Sequence, residues 1–225
     1  VIPNVMDFEN PPPGPDGHPN QLRRELGFDE DELFVLLPVR VVPRKGIEHG
    51  IELASRLERP AKLVISHETG DEGNGYADRV REYADLLGVE VVWAADRVAE
   101  ENRLDEDGRQ LYTLADFYDA ANFMTYTSLI EGFGNAFLEG VYHRTPIVVN
   151  RYPIYELDIR PKGFRCLEMH GYITKSLVHE TNELMEDRAR SRAWADDNYA
   201  IGLHHYSHQA VRDGLRAELE EMFPA

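Results

Sequence analysis

Between Leu33 and Val39 the chain reads LFVLLPV, apolar without interruption. A run of this length with no polar alternation predicts a strand buried on both faces, as in a parallel sheet. GIEHGIELASRL follows, with Ile47, Ile51, Leu53, Ala54 and Leu57 at helical spacing. The alternation then repeats. AKLVIS reads as a strand and YADRVREYADLLG as an amphipathic helix stopped by Gly88. VEVVWA is a strand and RQLYTLADFYDAA a helix; NFMTYT is a strand and NAFLEGVYH a helix. PIVVN is a fifth strand, and GFRCLEM adds a further one. Strands alternating with helices predict an α/β fold, a doubly wound Rossmann-like parallel sheet with helices on both faces.

The flanks differ from this core. VIP predicts a short strand at the start. ENPPPGPDGHPN is too rich in Pro and Gly for regular structure and reads as a loop. QLRRELG gives a short helix ended by Gly27. From Ile173 to Phe223 the chain reads as two or three polar-rich helices, a C-terminal helical segment. The expected organisation is one domain over residues 1–225: a linker with a lead-in strand over 1–20, the sheet core over 21–170, and the C-terminal helices over 171–225.

In a doubly wound sheet the common strand order is 3-2-1-4-5, and ligands bind where the order reverses. Numbered from Leu33, that point lies between the first and fourth strands. The loop after the first strand, RVVPRKG, then faces the loop after the fourth, SLIEGFG, across one crevice.

Composition narrows what that crevice holds. The formal net charge is −17, from 41 acidic against 24 basic side chains. Such a surface repels nucleic acid and anionic membranes. Any anionic ligand needs the few cations gathered where it binds. No apolar run approaches about 18 residues, so no transmembrane helix is expected, and the first ten residues lack the form of a signal peptide. Cys166 is the sole cysteine, which excludes an intrachain disulfide and fits a cytoplasmic location.

The first loop carries Arg40, Arg44 and Lys45, with Lys45 beside Gly46 at a helix start. Cations next to a helix N-terminus suit a phosphate or diphosphate; the same residues also read as a solvated basic turn. No G-x-G-x-x-G follows the first strand, which argues against a nicotinamide cofactor. In the second loop, EGFGNAFLEG, Gly132 and Gly134 let the backbone approach a ligand and open a helix. Asn135 and Glu139, four apart, share a helix face. Carboxylates accept from paired hydroxyls, so the loop suits a sugar at Glu131, a phosphate at Gly132–Asn135 and a ribose at Glu139. A glycine-rich turn with ordinary surface acids is the alternative. HHYSH puts His204 and His208 at helical spacing with no acid or cysteine nearby in sequence, which reads as a surface helix more than a metal site. HETGDEGNG (67–75) does not match a calcium loop and reads as solvated.

Together these stretches resemble the C-terminal domain of retaining GT-B glycosyltransferases of the GT4 type. VIPNVMDF resembles that domain's opening, LLPVRVVPRKG its G-R-L…K-G element, and EGFGNAFLE its E-x7-E motif; TPIVVN, Glu156 and HHYSHQAVRDGLRAEL are similar to later segments. The resemblance implies one half of a GT-B fold acting as a nucleotide-sugar donor-binding domain. It implies Arg40 and Lys45 at the diphosphate, with Glu131 completing the catalytic set. Gly132, Phe133, Gly134 and Asn135 hold the sugar and phosphates, and Glu139 the ribose. The implied reaction is hexose transfer with retention, with no catalytic metal and no cofactor beyond the nucleotide-diphosphate sugar itself. Leaving-group charge is then met by cations and helix N–H groups. The chain departs from the pattern at Asn4-Val5, at Val39 before Arg40, at Arg144, and at Tyr152 and Tyr155, where the family is glycine-rich; these narrow the pocket or shift donor choice. The N-terminal, acceptor-binding domain is the missing partner, without which the chain is expected to be inactive. A stand-alone, non-catalytic nucleotide-sugar binding module is the competing reading. The E-x7-E spacing argues against a sugar-nucleotide epimerase or a phosphorylase.

Overall fold

The computed structural model describes residues 4–14, 17–69 and 75–223. The VIP strand and residues 70–74 of the acidic loop lie outside the described residues. Helix α1 (His18–Glu25) precedes β1 (Leu33–Leu37), α2 (Ile47–Arg56), β2 (Ala61–Ile65), α3 (Gly75–Leu87) and β3 (Val91–Trp93). Then come the two-residue strands β4 (Arg103–Leu104) and β5 (Gln110–Leu111), α4 (Leu114–Ala120), β6 (Phe123–Tyr126), α5 (Asn135–Tyr142), β7 (Ile147–Asn150) and β8 (Leu167–Met169). Helices α6 (Lys175–Glu186), α7 (Arg188–Tyr206) and α8 (His208–Met222) close the chain.

One parallel sheet runs β3-β2-β1-β6-β7-β8, with helices on both faces. This is the predicted doubly wound order, and it reverses between β1 and β6. Leu33 pairs with Ala61 on one side of β1, and Val35 with Phe123 on the other. Every residue of β1, β6 and β7 is buried, the polar Thr125 and Asn150 included, as strands covered on both faces require. Helix α5 lays Phe137, Leu138 and Val141 onto this sheet, each worth about 1.5–3 kcal/mol of burial. It sits so close that a methyl at Gly140 would fall 2.1 Å from the Met124 sulfur.

Four local expectations are corrected. The first helix starts at His18, not Gln21, because Pro19 in the first turn needs no N–H partner. RQLYTLADFYDAA is not one helix. Gln110–Leu111 pairs antiparallel with Arg103–Leu104, while the Asp105 carboxylate accepts the Asp107 and Arg109 N–H groups in the turn between them. Helix α4 starts only where Thr113 and Asp116 form a reciprocal capping box. His204 and His208 do not share a helix face, since Ser207 ends α7 and caps α8. A π-helical turn at Tyr155–Ile159 lies between PIVVN and GFRCLEM, where no element was expected.

The lead-in segment is tied to the C-terminal helices. The Met6 N–H donates to the Tyr206 carbonyl at 3.0 Å and the Tyr199 hydroxyl to the Phe8 carbonyl at 2.8 Å. The Phe8 ring is buried edge-on against Tyr142 and Tyr199. No helix among the described residues is long and apolar enough to cross a membrane.

Candidate functional site

The loop after β1 and the loop after β6 are joined by backbone contacts. The Leu129 N–H donates to the Arg44 carbonyl at 2.8 Å, and the Thr127 hydroxyl to the Lys45 carbonyl at 3.0 Å. Gly46, with φ +60°, is the tightest point: a methyl there would fall 2.6 Å from the Thr127 carbonyl oxygen. Only glycine meets both the left-handed backbone and the close approach. Gly46 also ends the turn Pro43–Lys45 and begins α2.

That junction sets Lys45 against Glu131. Their side chains form an ion pair with both partners largely buried, and Arg44 Nη1 lies 3.5 Å from the other Glu131 oxygen. Burial pushes the Glu131 carboxyl up. The Lys45 hydrogen bond and charge pull it down and prevail, so the group ends below the ordinary carboxylate range. Lys45 also lies 5.8 Å from the Tyr126 ring centre. Arg40 is exposed and pairs with no acid among the described residues. Arg40, Lys45, Glu131, Phe133, Gly134 and Asn135 line one cavity of about 320 Å3, with Asn4, Val39 and Tyr126.

Gly134 opens α5 with φ +117° and ψ +63°. A methyl there would fall 2.4 Å from the Tyr152 hydroxyl, which donates to the Phe133 carbonyl at 2.8 Å. Tyr152 is thus buried under the turn and shapes it from below. Tyr155 is buried too, and donates to Glu168 at 2.8 Å. Neither of the two tyrosines expected to narrow the pocket lines this cavity. Gly132 differs from Gly134: nothing lies within 4 Å of a methyl placed there. The Phe133 ring packs edge-on against Tyr206 at 5.4 Å. The first N–H groups of α5 point out of the helix end toward this cavity.

Glu139 faces a neighbouring cavity of about 470 Å3, lined also by Asn4, Val5, Met6, Asn135 and Leu138. The Tyr118 hydroxyl donates to its Oε2 at 2.9 Å. The side-chain amides of Asn4 and Asn135 hydrogen-bond to each other on the wall common to both cavities.

Three features escaped the sequence. His67, just past β2, lies within the electrostatic reach of Arg40, Lys45 and Glu139; its place at a strand's C-terminal end was the available signal. Arg144 adopts φ +54°, alone among described non-glycine residues, with its guanidinium 3.7 Å from the Tyr199 ring centre and Nε 3.1 Å from Asp196. His208 meets Asp7 and Glu9, each 3.8 Å away, across the chain. Glu156 joins a surface ion-pair cluster with Arg151 and Arg160.

No protein-family model matches the chain. It is 31% identical over 187 residues to the mannosylglucosylglycerate synthase of Petrotoga mobilis, covering 75% of this chain and 43% of that protein. The chain spans about half the length of the curated relatives it matches. Among solved structures, Anabaena HepE in complex with UDP-glucose superposes with a TM-score of 0.76 at 16% identity, over 98% of this chain and 57% of that one. The C-terminal domain of a group 1 glycosyl transferase, LpcC of Francisella tularensis, superposes with a TM-score of 0.65 at 13% identity, over 90% and 99%.

Proposed function

We propose that this chain, whose homologues are glycosyltransferases and whose fold is that of a GT-B half, binds the nucleoside-diphosphate-sugar donor of a retaining hexosyltransferase. The observation that carries the reading is the joining of the two switch-point loops at Gly46 and Thr127. It gathers Arg40, Lys45, Glu131 and the α5 N-terminus on one cavity of about 320 Å3 in a chain of net charge −17.

In this reading the diphosphate lies between the first-loop cations and the free N–H groups of α5. Charge developing on the leaving diphosphate is then met by donors already in position. Glu131 and Lys45 neutralise each other before the donor arrives. On binding, Lys45 turns part of its interaction to phosphate, and Glu131 accepts from sugar hydroxyls. Glu139 takes the ribose hydroxyls. In this reading the leaving group is stabilised by the cations and helix N–H groups, with no metal or further cofactor. The acceptor is positioned by a second half-molecule, and the chain alone transfers no sugar. A cytoplasmic location fits the single cysteine and the supply of activated sugars.

Calorimetric titration with UDP, GDP and ADP tests the reading. At least one should bind, with affinity falling as salt is added. No binding of any of the three overturns it. Sugar transfer at enzyme-like rates by the isolated chain overturns the dependence on a second half.

A further inference from the structure

His67 stands one residue past Ser66 at the C-terminal end of β2. Its neighbourhood is set by backbone pairing beyond the sheet. Val41 bridges in parallel to Thr69, and the Val41 N–H donates to the Glu68 carbonyl at 3.2 Å. The loop carrying Arg40 therefore runs beside the loop carrying His67, much as Arg44–Lys45 runs beside Leu129 on the other flank. The crevice has three walls rather than two. His67 is half-buried, and its Nδ1 lies 3.1 Å from the buried Ser66 hydroxyl. The residue lines a cavity of about 390 Å3 with Glu68, Thr69, Arg81, Trp93 and Asp96.

We propose that His67 is a third recognition residue of the donor site, donating from Nε2 to the diphosphate beside the ribose that Glu139 holds. The proposal rests on the donor reading above. In this assignment the Ser66 hydroxyl, 3.1 Å away, donates to Nδ1 and the ring proton sits on Nε2. Burial pushes the imidazole's pKa down, Glu139 opposes this, and Lys45 and Arg40 push it down further; the net shift is downward. The ring is therefore neutral near pH 7, a donor that adds no third charge beside two cations. An entering diphosphate favours the imidazolium, so affinity rises as pH falls. The charged groups that act on the ring are Arg40, Lys45 and Glu139, and Glu68, Arg81 and Asp96 line its own cavity. Ordinary carboxylates and arginines do not titrate between about pH 6 and pH 8.

The test titrates the 225-residue chain with UDP-, GDP- and ADP-glucose, whose diphosphates do not titrate in that range. Whichever donor binds should bind roughly tenfold more weakly to His67→Ala, the effect of losing a hydrogen bond to a charged group. His67→Gln, which keeps an N–H near the Nε2 position, should lose no more than about threefold. Wild type should bind more tightly at about pH 6 than at about pH 8, and His67→Gln should show a flatter profile. That difference cancels the titration of every group the two proteins share. Undiminished binding by His67→Ala, or an unchanged pH profile in His67→Gln, overturns the assignment while leaving the donor reading intact. Should His67→Ala fail to fold in thermal denaturation, the pH profile of His67→Gln decides alone. No binding of any donor by wild type overturns both.

Discussion

Glu131 and Glu139 bracket one decapeptide, yet the fold holds them by opposite means. Glu131 is pinned by cations from another loop, Lys45 and Arg44, in a largely buried ion pair. Glu139 rests on a neutral phenol, the Tyr118 hydroxyl, and looks into a separate cavity. A carboxylate already neutralised must exchange partners when a ligand comes. A carboxylate held by a hydroxyl keeps its charge and its second oxygen for the ligand. The motif therefore combines a guarded acid and an available one with a turn between them, and the Asn4–Asn135 pair lies on the wall between their two cavities.

That turn is where the comparison breaks most readily. Gly134 has φ +117° and no room for a methyl, whereas Gly132 has open space. Gly134→Ala combines backbone strain with a clash on the Tyr152 hydroxyl and should cost about 3 kcal/mol or more. Gly132→Ala should stay within about 0.5 kcal/mol. Urea denaturation of the two variants measures this. Adding Tyr152→Phe to Gly134→Ala should recover part of the loss, since the nearest clashing atom is gone and the strained φ remains.

Lys45→Ala attacks the guarded acid from the other side. It leaves Glu131 buried with only Arg44 nearby, and should destabilise by about 2–3 kcal/mol near neutral pH. The folded Glu131 carboxyl lies below its ordinary value. Its contribution is therefore present above the unfolded carboxylate pKa and is lost as pH falls through the depressed folded value. Without Lys45, the largest influence opposing burial is gone and the carboxyl rises. The gap between wild type and Lys45→Ala should then narrow as pH is lowered from about 6 to about 3. A gap that stays constant across that range would mean the pair contributes nothing.

Much of this was legible beforehand, for identifiable reasons. Apolar runs such as Leu33–Leu37 and the Ile-Val-Val that opens Ile147–Asn150 state burial on both faces directly, and the strand order followed from the commonest winding. Arg40, Lys45 and Glu131 were legible as neighbours because the switch point brings their loops together. The sequence was silent where the determinant is a contact between distant residues. Nothing in EGFGNAFLEG tells that Tyr152 lies under Gly134, or that Tyr118 reaches Glu139. Lys45 was read only as a cation for an anionic ligand or in a solvated turn, because its burial against Glu131 depends on Gly46 meeting Thr127. Helix α4 was extended too far because LYTLADFYDAA is apolar enough for a helix throughout, and only the Thr113–Asp116 box marks its start.

Neutral replacements of the two acids separate their roles. Glu139→Gln should weaken both a nucleotide-sugar and the bare nucleoside diphosphate by about 1–3 kcal/mol, since both carry the ribose. Glu131→Gln should weaken the nucleotide-sugar by a similar amount but strengthen the bare diphosphate by about 0.5–1 kcal/mol, because Lys45 is released from its partner to meet the phosphate. Four titrations against wild type suffice. Equal weakening of both ligands by Glu131→Gln would show that the guarded acid does not read the sugar.

The smallest effect tests whether the phenol positions Glu139 or merely touches it. Tyr118 is buried between α4 and α5, its ring stacked on His143 at 5.1 Å, and its hydroxyl proton is held by Glu139 and by burial. Tyr118→Phe keeps the ring and removes only the donor. A donor that fixes the rotamer of Glu139 lowers the entropy lost when ribose hydroxyls bind. Its removal should weaken a bare nucleoside diphosphate by about 0.5–1 kcal/mol, less than Glu139→Gln. In the Glu139→Gln background the same change should do almost nothing, because there is no carboxylate left to orient. The double-mutant cycle isolates that coupling. Additive losses in the double variant would make Tyr118 a support of the helix packing alone, and would leave Glu139 positioned by its own backbone.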